Sequence, residues 1–69
     1  MEPIFAERLK ILRKEAGLKQ EQLADALGVT QRKISYWESG KIEPDLRTLL
    51  NISEYFGVSC DYLLGKTDY

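Results

Sequence analysis

The sequence predicts an all-α fold, a compact bundle of five short helices. Three observations predict it. Five glycines (Gly17, Gly28, Gly40, Gly57 and Gly65) punctuate the chain, and glycine is enriched just past helix C-termini. The segments between them carry apolar stripes at helical spacing. No segment shows the strict apolar–polar alternation of a half-buried strand. The 69 residues are expected to form one domain, 1–69, around one core. A core of that size supplies only about 3–5 kcal/mol, so nearly every apolar side chain must be used.

The first helix is expected over 4–16. Pro3 suits a first helical position, where its missing N–H costs nothing. Phe5, Leu9, Leu12 and Ala16 form the inner stripe, and Glu7, Arg8, Lys10, Lys14 and Glu15 the wet face. The second helix is expected over 20–27, with Leu23, Ala24 and Leu27 inward. Lys19 ahead of it is a poor N-cap, so this start should fray or lean on solvent. The third helix covers 31–38, capped by Thr30, with Ile34 and Trp37 inward. A polar loop, 39–44, holds Gly40 and Pro44. Asp45 caps the fourth helix, 46–56, whose inner stripe reads Leu46, Leu49, Leu50, Ser53 and Phe56. Ser59 caps a last helix, 60–64, that turns Val58, Leu63 and Leu64 inward. The tail, 66–69, is too short and polar to fold alone. Such a bundle has low contact order and folds fast.

The stretch 20–39, QEQLADALGVTQRKISYWES, organises the rest. Gly28 can take positive φ and turn the chain sharply after one helix. Thr30 can then cap the next, and Ala24 is small where the third helix must cross the second closely. That is the plan of a helix-turn-helix formed by the second and third helices, whose second member enters the DNA major groove.

Composition bounds the function. The net charge is −1, which does not by itself announce a nucleic-acid binder. Its distribution is more informative: residues 1–42 carry eight Lys/Arg against six Asp/Glu, and residues 43–69 two against five. Basic residues thus gather in the half that holds the motif, and the acidic half has to face away from DNA. Cys60 is the sole cysteine, which fits a reducing cytoplasm and excludes an internal disulfide. No apolar run approaches the ~20 residues of a membrane span. The opening MEPIFAERLK lacks the basic-then-apolar order of a signal peptide. An enzyme is not expected: there is no histidine and no phosphate-cradling glycine loop. So small a core also has no room for a substrate pocket of ~300 Å³ or more. No cofactor or metal is implied.

Three runs carry a resemblance: LKILRKEAGLKQEQLADALGV, TQRKISYWESGKIEPD and LLNISEYFGVSCDYLLGKTD. They resemble the phage repressor/Cro-type helix-turn-helix family (lambda-repressor-like, XRE) over about residues 5–68. The W-E-x-G-x-x-x-P segment (Trp37, Glu38, Gly40, Pro44) and the G-V-S-x-D-x-L-L segment (57–64) add most to the match. The resemblance implies a five-helix lambda-repressor-like bundle and a cytoplasmic, nucleoid-associated DNA-binding regulator of bacterial or phage origin. It implies that Gln20, opening the second helix, binds a DNA phosphate. It implies that Thr30, Gln31, Arg32, Lys33 and Tyr36 meet bases or phosphates, and that Lys41 in the loop meets phosphate. Arg13 and Glu38 match a salt bridge between the first helix and the end of the third. Two positions depart from the pattern: Lys19 stands where Ser, Thr or Asn is usual, and Tyr36 is bulkier than many residues at its position.

The residues themselves support a similar assignment. Gln31, Arg32, Ser35 and Tyr36 share the outer face of the third helix, with Lys33 on its flank. Glutamine can pair bidentately with adenine and arginine with guanine. Tyr36 can touch a thymine methyl or a phosphate. Gln20 lies where free amides and the helix dipole favour an anion, and Lys19 and Lys41 suit phosphate contacts. The competing reading of this face is a solvated polar surface. Trp37 could stack on a base, but its spacing from Ile34 points it into the core. Glu38 has no histidine or nucleophile to act with, so pairing with Arg13 is the better reading. Cys60 is either a thiol activated at a helix start or a small, partly buried apolar residue. Tyr55, Tyr62 and Tyr69 either line a dimer surface or cap the core.

The function expected is a sequence-specific double-stranded DNA-binding transcriptional regulator. Repression is favoured, acting as a dimer on an inverted-repeat operator. The alternatives are an antitoxin-type autoregulator of a toxin–antitoxin pair and a helical protein-interaction module that has lost DNA binding. The acidic balance supports the second, and the intact polar face opposes it.

Overall fold

The computed structural model describes residues 4–68, so the readings of Pro3 and Tyr69 lie outside the described residues. Among the described residues five helices follow one another: α1 (Ile4–Glu15), α2 (Gln20–Leu27), α3 (Gln31–Glu38), α4 (Leu46–Phe56) and α5 (Cys60–Leu63). Every expected helix is present, α1 and α5 each ending one residue early. Among the described residues no strand occurs, and no helix is long and apolar enough to cross a membrane. α3 packs on α2 and α1, α5 on α1 and α4, and α2 on α4.

The starts of the helices are local chemistry. Thr30 Oγ1 accepts from the Lys33 N–H at 3.2 Å, Asp45 Oδ1 from the Thr48 N–H at 2.8 Å, and Ser59 Oγ from the Tyr62 N–H at 3.0 Å. α2 is capped from the other direction. Lys19 has no side-chain acceptor, but Gln22 Oε1 accepts the Lys19 N–H at 2.8 Å, so the expected fraying is countered by the reaching-back half of a capping box. At the turn between α2 and α3, Gly28 has φ +71°, and the Val29 N–H reaches back to the Ala24 carbonyl at 3.0 Å. A β-carbon at that φ is strained, which is why glycine stands there.

Leu9, Leu23, Ala24, Ile34, Trp37, Ile52 and Leu63 form the buried cluster, one or two side chains from each helix. Phe5, Leu12, Leu18, Leu27, Val29, Leu49, Phe56, Val58 and Tyr62 pack around it. One expected stripe is shifted at its end and one is rotated: on α1, Phe5, Leu9 and Leu12 face the core as expected. On α1, Ala6 is buried and Ala16, beyond the helix end, is exposed. On α4 the inner face is Leu49, Ile52, Ser53 and Phe56, while Leu46 is 85% and Leu50 50% exposed. Both α4 registers offer apolar residues, and packing beneath α2 and against α5 selects the one centred on Ile52. The buried Ser53 hydroxyl donates to the Leu50 carbonyl at 2.8 Å, so it carries no unpaired polar group inward. Leu64, expected inside, is 57% exposed.

Arg8 also leaves its expected wet face. Its guanidinium lies 4.3 Å from the Tyr62 ring centroid. Nη1 donates to the carbonyls of Tyr62 (2.9 Å) and Thr67 (2.6 Å). The polar tail is therefore tied to α1, and Tyr62 serves as a cap on the core. Gly65 completes this seam: a β-carbon there would come within 2.6 Å of Ile4 Cγ2.

Candidate nucleic-acid interface

α3 has two sharply different faces. Ile34, Trp37 and Glu38 are buried against α1 and α2. Gln31, Arg32 and Lys33, the first turn, are exposed, whereas Ser35 and Tyr36 are half-buried. Thr30, exposed, sets the start of this turn through its cap to Lys33.

A chain of polar contacts holds that turn to the core. Glu38 is only 6% exposed, and a buried carboxylate is stable only when paired and fully hydrogen-bonded. Arg13 supplies both requirements: Nε donates to Glu38 Oε2 at 2.6 Å and Nη2 to Oε1 at 3.0 Å. Arg13 Nη1 donates to the Leu18 carbonyl at 2.8 Å, closing the α1–α2 connection onto the same ion pair. The hydrogen bond to Glu38 holds the Arg13 pKa above its already high ordinary value; burial works against this and the Glu38 charge adds to it. Gln20 Nε2 then donates to Glu38 Oε1 at 3.2 Å, and Gln31 Nε2 donates to Gln20 Oε1 at 3.1 Å. The structure thus brings together Arg13, Glu38, Gln20 and Gln31, and the expected Arg13–Glu38 pair is present. The linkage through Gln20 was not legible beforehand, because 11 and 18 residues separate its members and no short-range pattern marks it.

A second unit lies at the far end of α3. Lys41 Nζ sits 5.0 Å from the Tyr36 ring centroid, a cation–π contact, and Ser39 Oγ donates to the Tyr36 carbonyl at 3.1 Å. Lys19 is exposed at the start of α2. Lys33 lies near enough to the α4 cap for its charge to help lower the Asp45 pKa. Among the described residues there is no group of three or more side chains suited to hold a metal ion.

Residues 9–63 match the family model described as helix-turn-helix. The chain is 47% identical over 64 residues to a prophage-derived HTH-type transcriptional regulator of Bacillus subtilis, YonR, covering 93% of this chain and 59% of that protein. It is 48% identical over 61 residues to the transcriptional activator BcrR of Enterococcus faecalis, covering 88% of this chain and 30% of that one. A crystal structure of the P22 c2 repressor in complex with a synthetic operator superposes with a TM-score of 0.85 at 35% identity, covering 91% of this chain and 96% of that one. The fold and the α2–α3 geometry define a helix-turn-helix domain. The chain belongs to the phage-repressor type of that family. It spans little more than half of YonR and less than a third of BcrR.

Proposed function

We propose that the chain, 1–69, acts as the sequence-specific double-stranded DNA-binding domain of a transcriptional regulator, as a repressor at an inverted-repeat operator. The observation that carries this is the exposed first turn of α3, Gln31–Lys33, on a helix bonded to the core through Gln20 and Glu38. A reading helix has to be held to its core and polar outside, and α3 has hydrogen bonds beneath it and an exposed polar first turn. The similarity to a repressor whose structure was determined on operator DNA supports the same assignment.

In this reading α3 enters the major groove. Gln31 and Arg32 meet base edges, Ser35 and Tyr36 line the groove wall, and Thr30 and Lys33 meet backbone. Lys19, Gln20 and Lys41 bind phosphates and set register. Dimerisation through the C-terminal helices puts two α3 helices about 34–36 Å apart, one DNA turn. The exposed Leu46 and Leu50, one turn apart on α4, supply an apolar surface for that contact. Occlusion of a promoter follows from occupancy, in a cytoplasmic, nucleoid-bound protein.

The test is selection of bound duplexes from a random pool, followed by a salt titration of the winner. An inverted repeat whose log K falls steeply with log salt is expected. No motif at low salt, even with dimerisation enforced, would overturn base reading and leave a protein-interaction module in its place.

A further inference from the structure

We infer that Tyr36 acts on DNA through Lys41: its ring holds the Lys41 ammonium at the end of α3, so that a phosphate meets a cation already in place. The inference rests on the reading of α3 as the helix that enters the major groove.

The end of α3 is closed by backbone hydrogen bonds. Gly40, at φ +77°, brings its own N–H to the Trp37 carbonyl at 3.2 Å and the Lys41 N–H to the Tyr36 carbonyl at 2.9 Å. This is a Schellman closure. Ser39 Oγ donates to the same Tyr36 carbonyl at 3.1 Å. In such a closure the residue past the glycine ordinarily makes an apolar contact with the residue in the last turn whose carbonyl it bonds. Here those two positions are Lys41 and Tyr36, and the contact is an ammonium 5.0 Å from a ring centroid. The helix end thus fixes the backbone of Lys41, and the ring fixes its charge. Tyr36 is itself half-buried and is followed by buried Trp37 and Glu38, so the ring sits on an anchored turn.

A lysine has a flexible four-carbon stem, and fixing its ammonium on a phosphate costs rotamer freedom. Stacking on Tyr36 meets part of that cost before DNA arrives. The charge also stays available. The ion pairs among the described residues are Arg8–Asp68 and Arg13–Glu38, and Lys41 belongs to neither. An ammonium carries three donors, so a ring on one side leaves donors for phosphate oxygens on the other. A ring covered by Lys41 adds affinity and no base preference. Tyr36 is therefore a positioning residue for a phosphate contact, not a reader of thymine.

The test is a double-mutant cycle of Tyr36→Leu and Lys41→Met, with Tyr36→Phe as the conservative variant. Affinity is measured on the selected operator and its single-base variants over a range of salt, with thermal melts confirming the fold. Tyr36→Phe keeps the ring and should bind within about twofold of wild type. Tyr36→Leu should weaken every duplex alike, by roughly two- to fivefold per half-site, with base preferences and salt slope unchanged. Lys41→Met should lower the slope of log K against log salt by about 0.9 per half-site. Added to Lys41→Met, Tyr36→Leu should cost nothing further, to within about twofold.

The inference is overturned if the two losses add in full, if Tyr36→Leu relaxes the preference at one base pair, or if Tyr36→Phe binds as poorly as Tyr36→Leu. Tighter binding by Tyr36→Leu overturns it too, since the ring would then be withholding the lysine from DNA. Should Tyr36→Leu not fold, Tyr36→Met takes its place in the cycle. A wild type that binds no duplex overturns the DNA-binding function together with this inference, whereas a selected operator with an additive cycle overturns the inference alone.

Discussion

The α2–α3 edge and the outer face of α4 are both exposed, yet they are built by opposite means. At the α2–α3 edge, directional bonds run from the surface amide of Gln31 through Gln20 to a buried ion pair. On α4 a capped helix start carries Leu46 and Leu50 into solvent, and their surface is apolar and non-directional. The difference teaches what each surface can discriminate. Hydrogen bonds fixed in direction distinguish base edges, whereas apolar area rewards any complementary shape, such as the same helix of a second copy. In the proposed function, sequence readout falls to the first region and association to the second.

The comparison can be broken most forcefully from beneath α3. Trp37→Ala should cost on the order of 3–5 kcal/mol, as much as the whole domain holds, and leave the chain largely unfolded at 25 °C by circular dichroism. A variant that melts cooperatively within a few degrees of the parent would separate the reading helix from the core. Glu38→Ala comes next. It strands the largely buried Arg13 guanidinium and should cost about 3 kcal/mol in urea unfolding. Arg13→Met/Glu38→Leu should cost much less, because no charge is left unpaired. Equal losses in the two would mean that the pair is not a coupled unit.

The α4 face sharpens the comparison from the other side. Leu46→Ser with Leu50→Ser should leave stability within about 0.5 kcal/mol, since neither side chain is in the core. Affinity for a full inverted repeat should fall while affinity for a single half-site holds. An equal loss on both would move these leucines into the reading surface. The smallest effect is the Asp45 cap. Hydrogen bonds from the Thr48 hydroxyl and N–H lower the Asp45 pKa, with the charges of Lys33 and Arg47 adding to this against slight desolvation. A lowered folded-state pKa stabilises above the ordinary carboxylate range and is lost as pH falls through it. The melting temperature of Asp45→Ala should therefore lie slightly below wild type at pH 7, the gap closing toward pH 3. A gap that widens on acidification contradicts the assignment.

The fold was legible wherever local chemistry decides it. Thr30, Asp45 and Ser59 announce helix starts because their oxygens cap amides a few residues on, and Gly28 announces the turn because positive φ favours glycine. The pairing of Arg13 with Glu38 came from resemblance, since 25 residues separate them. Rotation of the stripe on α4 was not legible. Leu46, Leu49, Leu50, Ile52 and Phe56 satisfy two helical registers, and only the neighbouring helices choose between them. Ala6 is small and gave no apolar signal of its own, although its smallness lets it be buried. Arg8 looked like a surface cation because its partners, Tyr62 and Thr67, lie 54 and 59 residues away. Within the candidate site, the Arg13–Glu38 pair was readable and the bonds through Gln20 were not.

The central claim is that the first turn of α3 reads bases. It is tested most directly by measuring Arg32→Ala and wild type against a panel of single-base variants of the selected operator. The account predicts that Arg32→Ala loses roughly 1–3 kcal/mol of discrimination at one position of each half-site and retains the wild-type preferences elsewhere. A uniform loss across the panel, with every preference intact, would make Arg32 a phosphate contact and contradict base reading by this turn.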